Sequence, residues 1–147
     1  MKTELLGGKV TKLSLPVVEG APGPGAPRLK RLMLAQGELA HVHDGPAGIQ
    51  YIAWIELRPG GLRGNHYHKA KEEFLYITEG EILLVLEDIH TRRRESLSLR
   101  EGDLAVLATE IAHVYRPVRP GRAIEFSPAR FDAADVYAYS LMQAVQS

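Results

Sequence analysis

Short apolar segments recur along most of this chain, and they constrain its fold more than any other feature. Turn-like residues, rich in glycine, proline or acidic side chains, separate them, as in "DGPAG", "RPGG", "TEGE", "REGD" and "RPGR". Strands joined by tight turns recur at about this spacing, near ten residues, in all-β proteins. The pattern therefore predicts an all-β sandwich or barrel. The segments are 31–36, 39–43, 50–57, 72–78, 81–88, 95–100, 103–108, 112–118 and 122–127.

Alternation of side chains within these segments supports the strand prediction. In "ESLSLR", Leu97 and Leu99 fall on one face, and two serines fall on the other. The segment "ILLVL" (82–86) is instead apolar on both faces, which indicates that its outer side is also covered. A second subunit would provide that cover, so we expect a homodimer.

The chain divides into three parts around this β-rich region. Its 147 residues are enough for one domain with a single core. Residues 1–30 are expected to form an N-terminal arm and loop, because "PVVEGAPGPGAP" (16–27) holds four prolines and three glycines. We assign the barrel to 31–127. The tail, 128–147, lacks strict alternation and is expected to contain a short helix capped near Asp132.

Composition narrows the functional classes. Eighteen basic residues balance 18 acidic ones, so no overall field favours nucleic acid or an anionic membrane. The chain has no cysteine, and it therefore has no disulfide and no thiolate metal site. No apolar stretch resembles a signal peptide or reaches the roughly 20 residues that span a bilayer. We expect a soluble cytoplasmic protein with no nucleic-acid or membrane partner.

The segment "RGNHYHKAKEEFLYITEG" (63–80) carries the most specific chemistry. In an extended strand His66 and His68 point to the same face, and Glu73 lies on the next strand. Imidazole nitrogens and a carboxylate together suit a first-row divalent metal. The best candidate for a fourth ligand is His113, on a later strand. We therefore predict a metal site of these four residues.

A second His-x-His pair, His41 and His43, has no carboxylate at ligand spacing. We interpret this pair as strand residues near a turn, with a place in a pocket wall as the alternative. Tyr51 and Trp54 are expected in the core or in a pocket wall.

Two glycine-bounded motifs around these ligands resemble the cupin superfamily. The first family motif, G-x5-H-x-H-x3–4-E-x6-G, is matched in full from Gly60 to Gly80, with four residues between His68 and Glu73. The second, G-x5-P-x-G-x2-H-x3-N, is matched at Gly102 and His113 but not at its proline, second glycine and asparagine. Those positions hold Ala108, Glu110 and Pro117. The resemblance implies a small jelly-roll β-barrel with the metal and a small-molecule ligand inside it.

Two closer resemblances concern sugar nucleotides. "RGNHYHKAKEEFLYITEGE" is similar to the C-terminal cupin domain of capsular-polysaccharide enzymes that act on nucleotide-linked amino sugars. That domain carries zinc and epimerises a carbon beside a ketone. "GNHYHK" also resembles the sugar-nucleotide 3,4-ketoisomerases, which use histidine as a base without a metal. Zinc is therefore the expected ion, although manganese, iron, nickel and copper accept the same ligands.

These resemblances lead to a functional hypothesis: a metal-binding cupin that epimerises or isomerises a sugar nucleotide by removing a proton next to a carbonyl. Arg63 and Lys69 are candidates for binding the diphosphate. The candidates for the base are Tyr76, Tyr115, Lys69 and His43. Two alternatives stay open, a dioxygenase-type cupin oxidoreductase and a non-catalytic cupin that binds a small ligand.

Overall fold

The computed structural model describes residues 1–143, and β-strands dominate them. The strands are β1 (Lys2–Leu5), β2 (Val10–Ser14), β3 (Val17–Glu19), β4 (Lys30–Leu34), β5 (Gly37–His41), β6 (Tyr51–Leu57), β7 (Arg63–Tyr67), β8 (Glu73–Asp88), β9 (Arg94–Arg100), β10 (Asp103–Leu107), β11 (Ile111–Ser127) and β12 (Tyr137–Ala138). Two single turns of 3-10 helix, Leu6–Gly8 and Ala133–Asp135, complete the elements. Across 1–143, no helix has the length and apolar character needed to cross a membrane. The predicted all-β class is confirmed.

Nine strands form one antiparallel sheet, in which two long strands are central. The order is β1-β2-β10-β8-β11-β7-β12, with β9 also on β8 and β6 also on β11. The first half of β8 pairs with β10 and its second half with β9. In the same way β11 pairs with β7 near its start and with β6 near its end. Because each long strand has different partners along its length, the sheet curls around a common interior. The remaining strands form a small sheet, β3-β4-β5.

The long strands bend at glycines, and this corrects two of the predicted turns. "TEGE" and "RPGR" do not end strands; they lie inside β8 and β11. Gly80 has a φ of +89°, and a Cβ on Gly121 would lie 1.9 Å from the Glu79 carbonyl oxygen. The β8–β11 register also shifts on both sides of Arg119. Glycine and bulges therefore bend the pair of strands without ending it.

The N-terminal region differs from the expected arm. β1 and β2 belong to the nine-stranded sheet, because β2 pairs with β10 from Val10 to Ser14. The longest stretch of residues 1–30 without strand or helix is 20–29, and β3 pairs in parallel with β4. The strand pattern in residues 2–14 is interrupted by Gly7 and Gly8, and few of its side chains are buried, so alternation is weak there.

Two apolar clusters lie on opposite faces of the main sheet. The inner cluster is the larger and includes Ile55, Leu75, Ile77, Ile82, Leu84, Leu86, Leu99, Ile111 and Tyr115. The second cluster gathers Tyr76, Leu104 and Phe126 with residues of the segment 13–49, among them Leu15, Leu29, Val42 and Ile49. The chain therefore covers part of the outer face of its own barrel. Trp54 is 65% exposed and does not belong to the core.

The described part of the C-terminal tail, residues 128–143, contains one helical turn. Asp132, the expected cap, accepts a hydrogen bond from Ala134 N (2.9 Å), but the turn is 3-10 and ends at Asp135. The chain then extends along β7 as β12. Residues 144–147 of the predicted helical tail lie outside the described part.

Candidate metal centre

The four side chains predicted as metal ligands meet inside the barrel. One nitrogen or oxygen atom of each lies within 4.8 Å of the others. His66 lies in β7, and His68 directly follows the end of that strand. Glu73 is the first residue of β8, and His113 lies in β11. The Nε2 atoms of His68 and His113 lie 3.0 Å and 2.9 Å from the two carboxylate oxygens of Glu73. His66 is half-buried, and the other three are buried.

The pairing of β7 with β11 places two of these histidines beside each other. His66 and His113 are register partners, and their ring centroids lie 4.8 Å apart. Gly64 makes this approach possible, because a Cβ there would lie 2.4 Å from the His113 carbonyl oxygen. Its φ of +108° is likewise a conformation that favours glycine.

Backbone carbonyls orient two of the imidazole rings. His68 Nδ1 lies 2.7 Å from the Asp135 oxygen, and His113 Nδ1 lies 3.0 Å from the Ile111 oxygen. Since a carbonyl only accepts, each Nδ1 carries a hydrogen, and Nε2 has a free lone pair whenever the ring is neutral. His68 Nε2 is fully buried and makes no well-aligned hydrogen bond to any of residues 1–143, although Glu73 is near. A buried nitrogen of this kind is what a metal ion would satisfy.

Electrostatics within the cluster also suit a cation. Burial, helped by His113 and His68, lowers the pKa of His66 to about 4, so this ring is neutral at pH 7. Burial on its own would raise the pKa of Glu73, but the neighbouring His113 and Lys71 hold that pKa well below its usual value. Burial on its own would lower the pKa of His113, but the Glu73 carboxylate raises it, so a metal ion would replace a proton on this ring. With that proton replaced, the group offers three imidazoles and an ionised carboxylate, the donors that a first-row divalent ion accepts.

A cavity of about 310 Å³ opens beside the cluster. His66 and His113 form part of its wall, whereas His68 and Glu73 are buried and are not among its lining residues. The complete lining is Ile55, Leu62, Arg63, Gly64, His66, His113, Tyr115 and Glu125. A small molecule in this space would touch both the cluster and two further titratable side chains, Tyr115 and Glu125.

Two charged residues of this region were missed in the sequence. Lys71 is only 5% exposed, and its Nζ lies 3.3 Å from Glu73 Oε1 and 3.8 Å from Glu125 Oε2. The same Nζ sits 4.3 Å from the centroid of the Tyr51 ring. Burial, with the charge of Glu73, raises the pKa of Glu125 to about 7. Alternation in "RAIEFS" places Glu125 on the same face as buried Ala123, and that signal could have identified it.

The fold places some of the other residues predicted as bases or substrate-binding groups in the cavity wall and the rest elsewhere. Tyr115 and Arg63 line the cavity, and burial raises the pKa of Tyr115. Three more lie away from its lining. Tyr76 is buried in the second apolar cluster, Lys69 has its Nζ 4.5 Å from the Tyr137 ring, and His43 packs against Phe74 and Phe126.

Comparison with known proteins adds sequence and structural relatives. A 3-hydroxyanthranilate 3,4-dioxygenase from Brucella anthropi is 29% identical over 113 residues, which are 69% of this chain and 62% of that protein. The chain thus spans less than two thirds of this relative's length.

Three solved structures share the fold at low identity. A dTDP-4-dehydrorhamnose 3,5-epimerase from Bacillus anthracis matches with a TM-score of 0.72 and 12% identity, over 100% of this chain and 94% of its own. A 3,4-ketoisomerase from Thermoanaerobacterium thermosaccharolyticum was solved with TDP-4-keto-6-deoxyglucose. It matches with a TM-score of 0.64 and 16% identity, over 74% of this chain and 82% of its own. CapF, solved with the inhibitor 3-isopropenyl-tropolone, matches with a TM-score of 0.55 and 16% identity, over 61% of this chain and 28% of its own.

The sequence profile of the cupin family matches residues 48–127, more than half of the chain. This range holds all four residues of the cluster, β6 to β11 and the bend in the two long strands. With the jelly-roll fold and the structural relatives, the match settles the family: the chain belongs to the cupins.

Proposed function

We propose that this protein is a metal-dependent cupin that moves a proton next to the carbonyl of a nucleotide-linked keto sugar, as an epimerase or isomerase. The observation that carries the proposal is the composition of one cavity. Its wall combines His66 and His113 of the cluster with Glu125, Tyr115 and Arg63. Proton transfer beside a carbonyl needs a base, stabilisation of the enolate oxygen and a group that holds the substrate.

His66, His68, Glu73 and His113 would hold the ion, with zinc as the first choice. A divalent ion bound there supplies Lewis-acid polarisation of the substrate carbonyl. The orphaned His68 Nε2 and the ionised Glu73 support this assignment.

Glu125 is the side chain that we assign as the base. It is the carboxylate of the cavity wall that lies outside the four-residue cluster, and Lys71 Nζ stands 3.8 Å from its Oε2. The carboxylate takes the proton from the carbon beside the carbonyl, and in an isomerisation it returns that proton to the neighbouring carbon. In an epimerisation the same carbon receives a proton from solvent on the opposite face of the enolate. Tyr115, whose pKa burial raises, keeps its hydroxyl hydrogen at pH 7 and is placed to donate to a substrate oxygen.

Arg63 is assigned to the diphosphate. It is exposed in the wall between this cavity and an adjoining one lined by Arg58, Leu62 and Pro117. A guanidinium fork at such a rim can bind two phosphate oxygens at once while the sugar points inward.

Exchange of substrate hydrogen with solvent tests this function. Zinc-loaded protein is incubated with TDP-4-keto-6-deoxyglucose in D2O, and deuterium in the sugar is measured by NMR and mass spectrometry. We expect incorporation beside the ketone, reduced by about 10²–10⁴-fold in Glu125→Gln. Unchanged zinc content in that variant separates loss of the base from loss of the ion. Protein with one zinc per chain that exchanges no hydrogen would overturn the assignment.

The relative from Brucella anthropi favours a second candidate, oxidative cleavage of an aromatic ring. Its test uses protein loaded with Fe²⁺, 3-hydroxyanthranilate and an oxygen electrode. Oxygen uptake that depends on both the iron and His113 would support this candidate. Deuterium exchange without oxygen uptake would leave the sugar-nucleotide assignment.

A further inference from the structure

The tail of the chain lies against the segment that carries two of the proposed ligands. We call residues 135–142 the C-terminal strap. β12, within it, pairs with β7, so that Ala138 is the register partner of His66. No described residue of the strap lines the cavity beside His66. The strap therefore contacts the cluster from outside the substrate space.

Asp135 holds the loop between His68 and Glu73. Its carboxylate accepts hydrogen bonds from three successive backbone N–H groups. Oδ1 lies 2.8 Å from Lys69 N, and Oδ2 lies 3.1 Å from both Ala70 N and Lys71 N. Three such bonds to one ionised carboxylate fix the path of the loop that links the two ligands.

The same residue also holds the His68 ring. The backbone oxygen of Asp135 accepts the Nδ1 hydrogen of His68 at 2.7 Å. This bond sets the tautomer and leaves the Nε2 lone pair on the side of the four-residue cluster, 3.0 Å from Glu73 Oε1. One residue thus controls the backbone beside His68 through its side chain and the ring of His68 through its main chain.

The strap is itself anchored to β7. The Asn65 side-chain oxygen accepts hydrogen bonds from Leu141 N (2.9 Å) and Met142 N (3.1 Å), and its nitrogen donates to Met142 O (2.8 Å). The rings of Tyr137 and Tyr67 stack with centroids 5.1 Å apart. Asp135 is therefore held in place by contacts that do not involve the ligands.

From these contacts we propose that Asp135 is a positioning residue of the metal centre, which fixes the His68 tautomer and ring orientation and thereby raises metal affinity. The proposal rests on the proposed function where it invokes the ion, but the effect on His68 exists without metal. Partners of metal-binding histidines commonly change affinity by about 10–100-fold when they are replaced.

The test compares Asp135→Asn and Asp135→Ala with Asp103→Asn. Asn keeps one acceptor but presents an amide to the Lys71 N–H, whereas Ala removes all three bonds. Asp103 is a matched control, because this buried carboxylate also accepts a backbone hydrogen, from Arg100 N at 2.9 Å, and another from Ser14 Oγ at 2.7 Å. Its partners are none of the four cluster residues. Zn²⁺ affinity is measured against a chromophoric chelator, and His68 tautomers are read from long-range ¹H–¹⁵N spectra of metal-free protein.

Both variants keep the Asp135 backbone oxygen but loosen the loop at 69–71, so the His68 ring is no longer held against that oxygen. We therefore expect Zn²⁺ affinity to fall by about 10–100-fold in Asp135→Asn and further in Asp135→Ala, with a mixture of His68 tautomers in both. Asp103→Asn should lower stability while affinity and tautomer stay at wild-type values. An unchanged His68 tautomer in both Asp135 variants would overturn the proposal, as would an equal loss of affinity in Asp103→Asn. If wild-type protein binds no Zn²⁺ but Asp135→Asn still mixes the tautomers, the metal-dependent function fails and the positioning of His68 stands.

Discussion

The chain contains two His-x-His pairs with the same spacing, and the fold uses them in different ways. His66 and His68 face Glu73 and His113 in a buried cluster. His43, of the other pair, donates its Nε2 hydrogen to the Ala47 oxygen at 3.0 Å, so that nitrogen is not free to bind a metal.

The strands that lie beside each pair explain the difference. β7 lies next to β11, which brings His113 opposite His66. β5 belongs to the small sheet, where the register partner of His41 is Lys30. A cation beside His41 and aromatic rings beside His43 offer no ligand that completes a site. Two pairs with identical spacing therefore differ in their ability to bind a metal, because residues distant in sequence provide the further ligands to one pair and not to the other.

The largest expected difference between the pairs is in metal content. His113→Ala removes a buried ligand of the cluster and should reduce zinc from about one ion per chain to nearly none. The double variant His41→Ala/His43→Ala should keep the wild-type content. Plasma mass spectrometry of tag-free protein reconstituted with zinc makes the comparison. A double variant that loses its zinc would show that the two pairs are not functionally distinct.

Replacing the glycine near each pair should have unequal effects on the free energy of unfolding. Gly64→Ala forces a Cβ to within 2.4 Å of the His113 oxygen at a φ of +108°, so we expect a loss of about 3 kcal/mol or more. In Gly48→Ala, near His43, the added Cβ has no atom of the described part of the chain within 4 Å, and the free energy of unfolding should change by less than about 0.5 kcal/mol. Urea unfolding of metal-free protein gives both values. Similar midpoints for the two variants would contradict the close approach of β7 and β11.

A carboxylate remote from both pairs should control part of the acid stability. Lys9 Nζ lies 2.5 Å from Asp88 Oδ2, and its hydrogen bond holds the pKa of the buried Asp88 carboxyl below its ordinary value. A depressed folded pKa means that the ionised form adds stability above the unfolded pKa, about 4, which is lost as pH falls through the folded pKa.

Asp88→Asn should therefore destabilise the protein by about 2 kcal/mol at pH 7, and the difference from wild type should shrink below about pH 4. Urea unfolding of metal-free protein at both pH values measures this. The exposed Glu101→Gln serves as control, with little change expected at either pH. A deficit that is constant with pH would assign the effect to packing. Because Asp88 touches neither histidine pair, the result separates acid unfolding from acid release of metal.

The smallest effect concerns the packing of His43. Its ring meets Phe74 and Phe126 edge-on, with centroids 6.2 Å and 6.0 Å away. His43→Ala should cost about 1 kcal/mol in thermal or urea unfolding without altering zinc affinity. His43→Phe should recover part of the loss. Lower zinc affinity in either variant would connect this pair to the metal centre.

Prediction from sequence succeeded where the signal is local. Periodicity identified the all-β fold and most strands of the barrel, and motif spacing selected the four residues that the fold gathers. It failed where glycine permits two outcomes. "TEGE" and "RPGR" have the composition of turns, but the strands continue through both. The reason is that β8 and β11 remain paired on both sides of the bend.

The residues missed near the site share one property: their roles depend on partners far along the chain. Lys71 contacts Glu125, which is 54 residues later (125 − 71), and the Tyr51 ring, and these contacts hold its amino group beside the site. Asp135 gains its role from the loop at 69–71. Neither the spacing nor the composition around these residues contains that information.

The sequence by itself determined the class of fold, the family and the four residues that come together, since alternation and ligand spacing are written over short stretches. Tertiary structure decided which histidine pair acquires a carboxylate and a third imidazole, which titratable groups line the cavity, and what holds His68. The physical reason is that strand pairing creates these contacts. Register and burial, which set the free lone pairs and the pKa values, exist only after distant strands have paired.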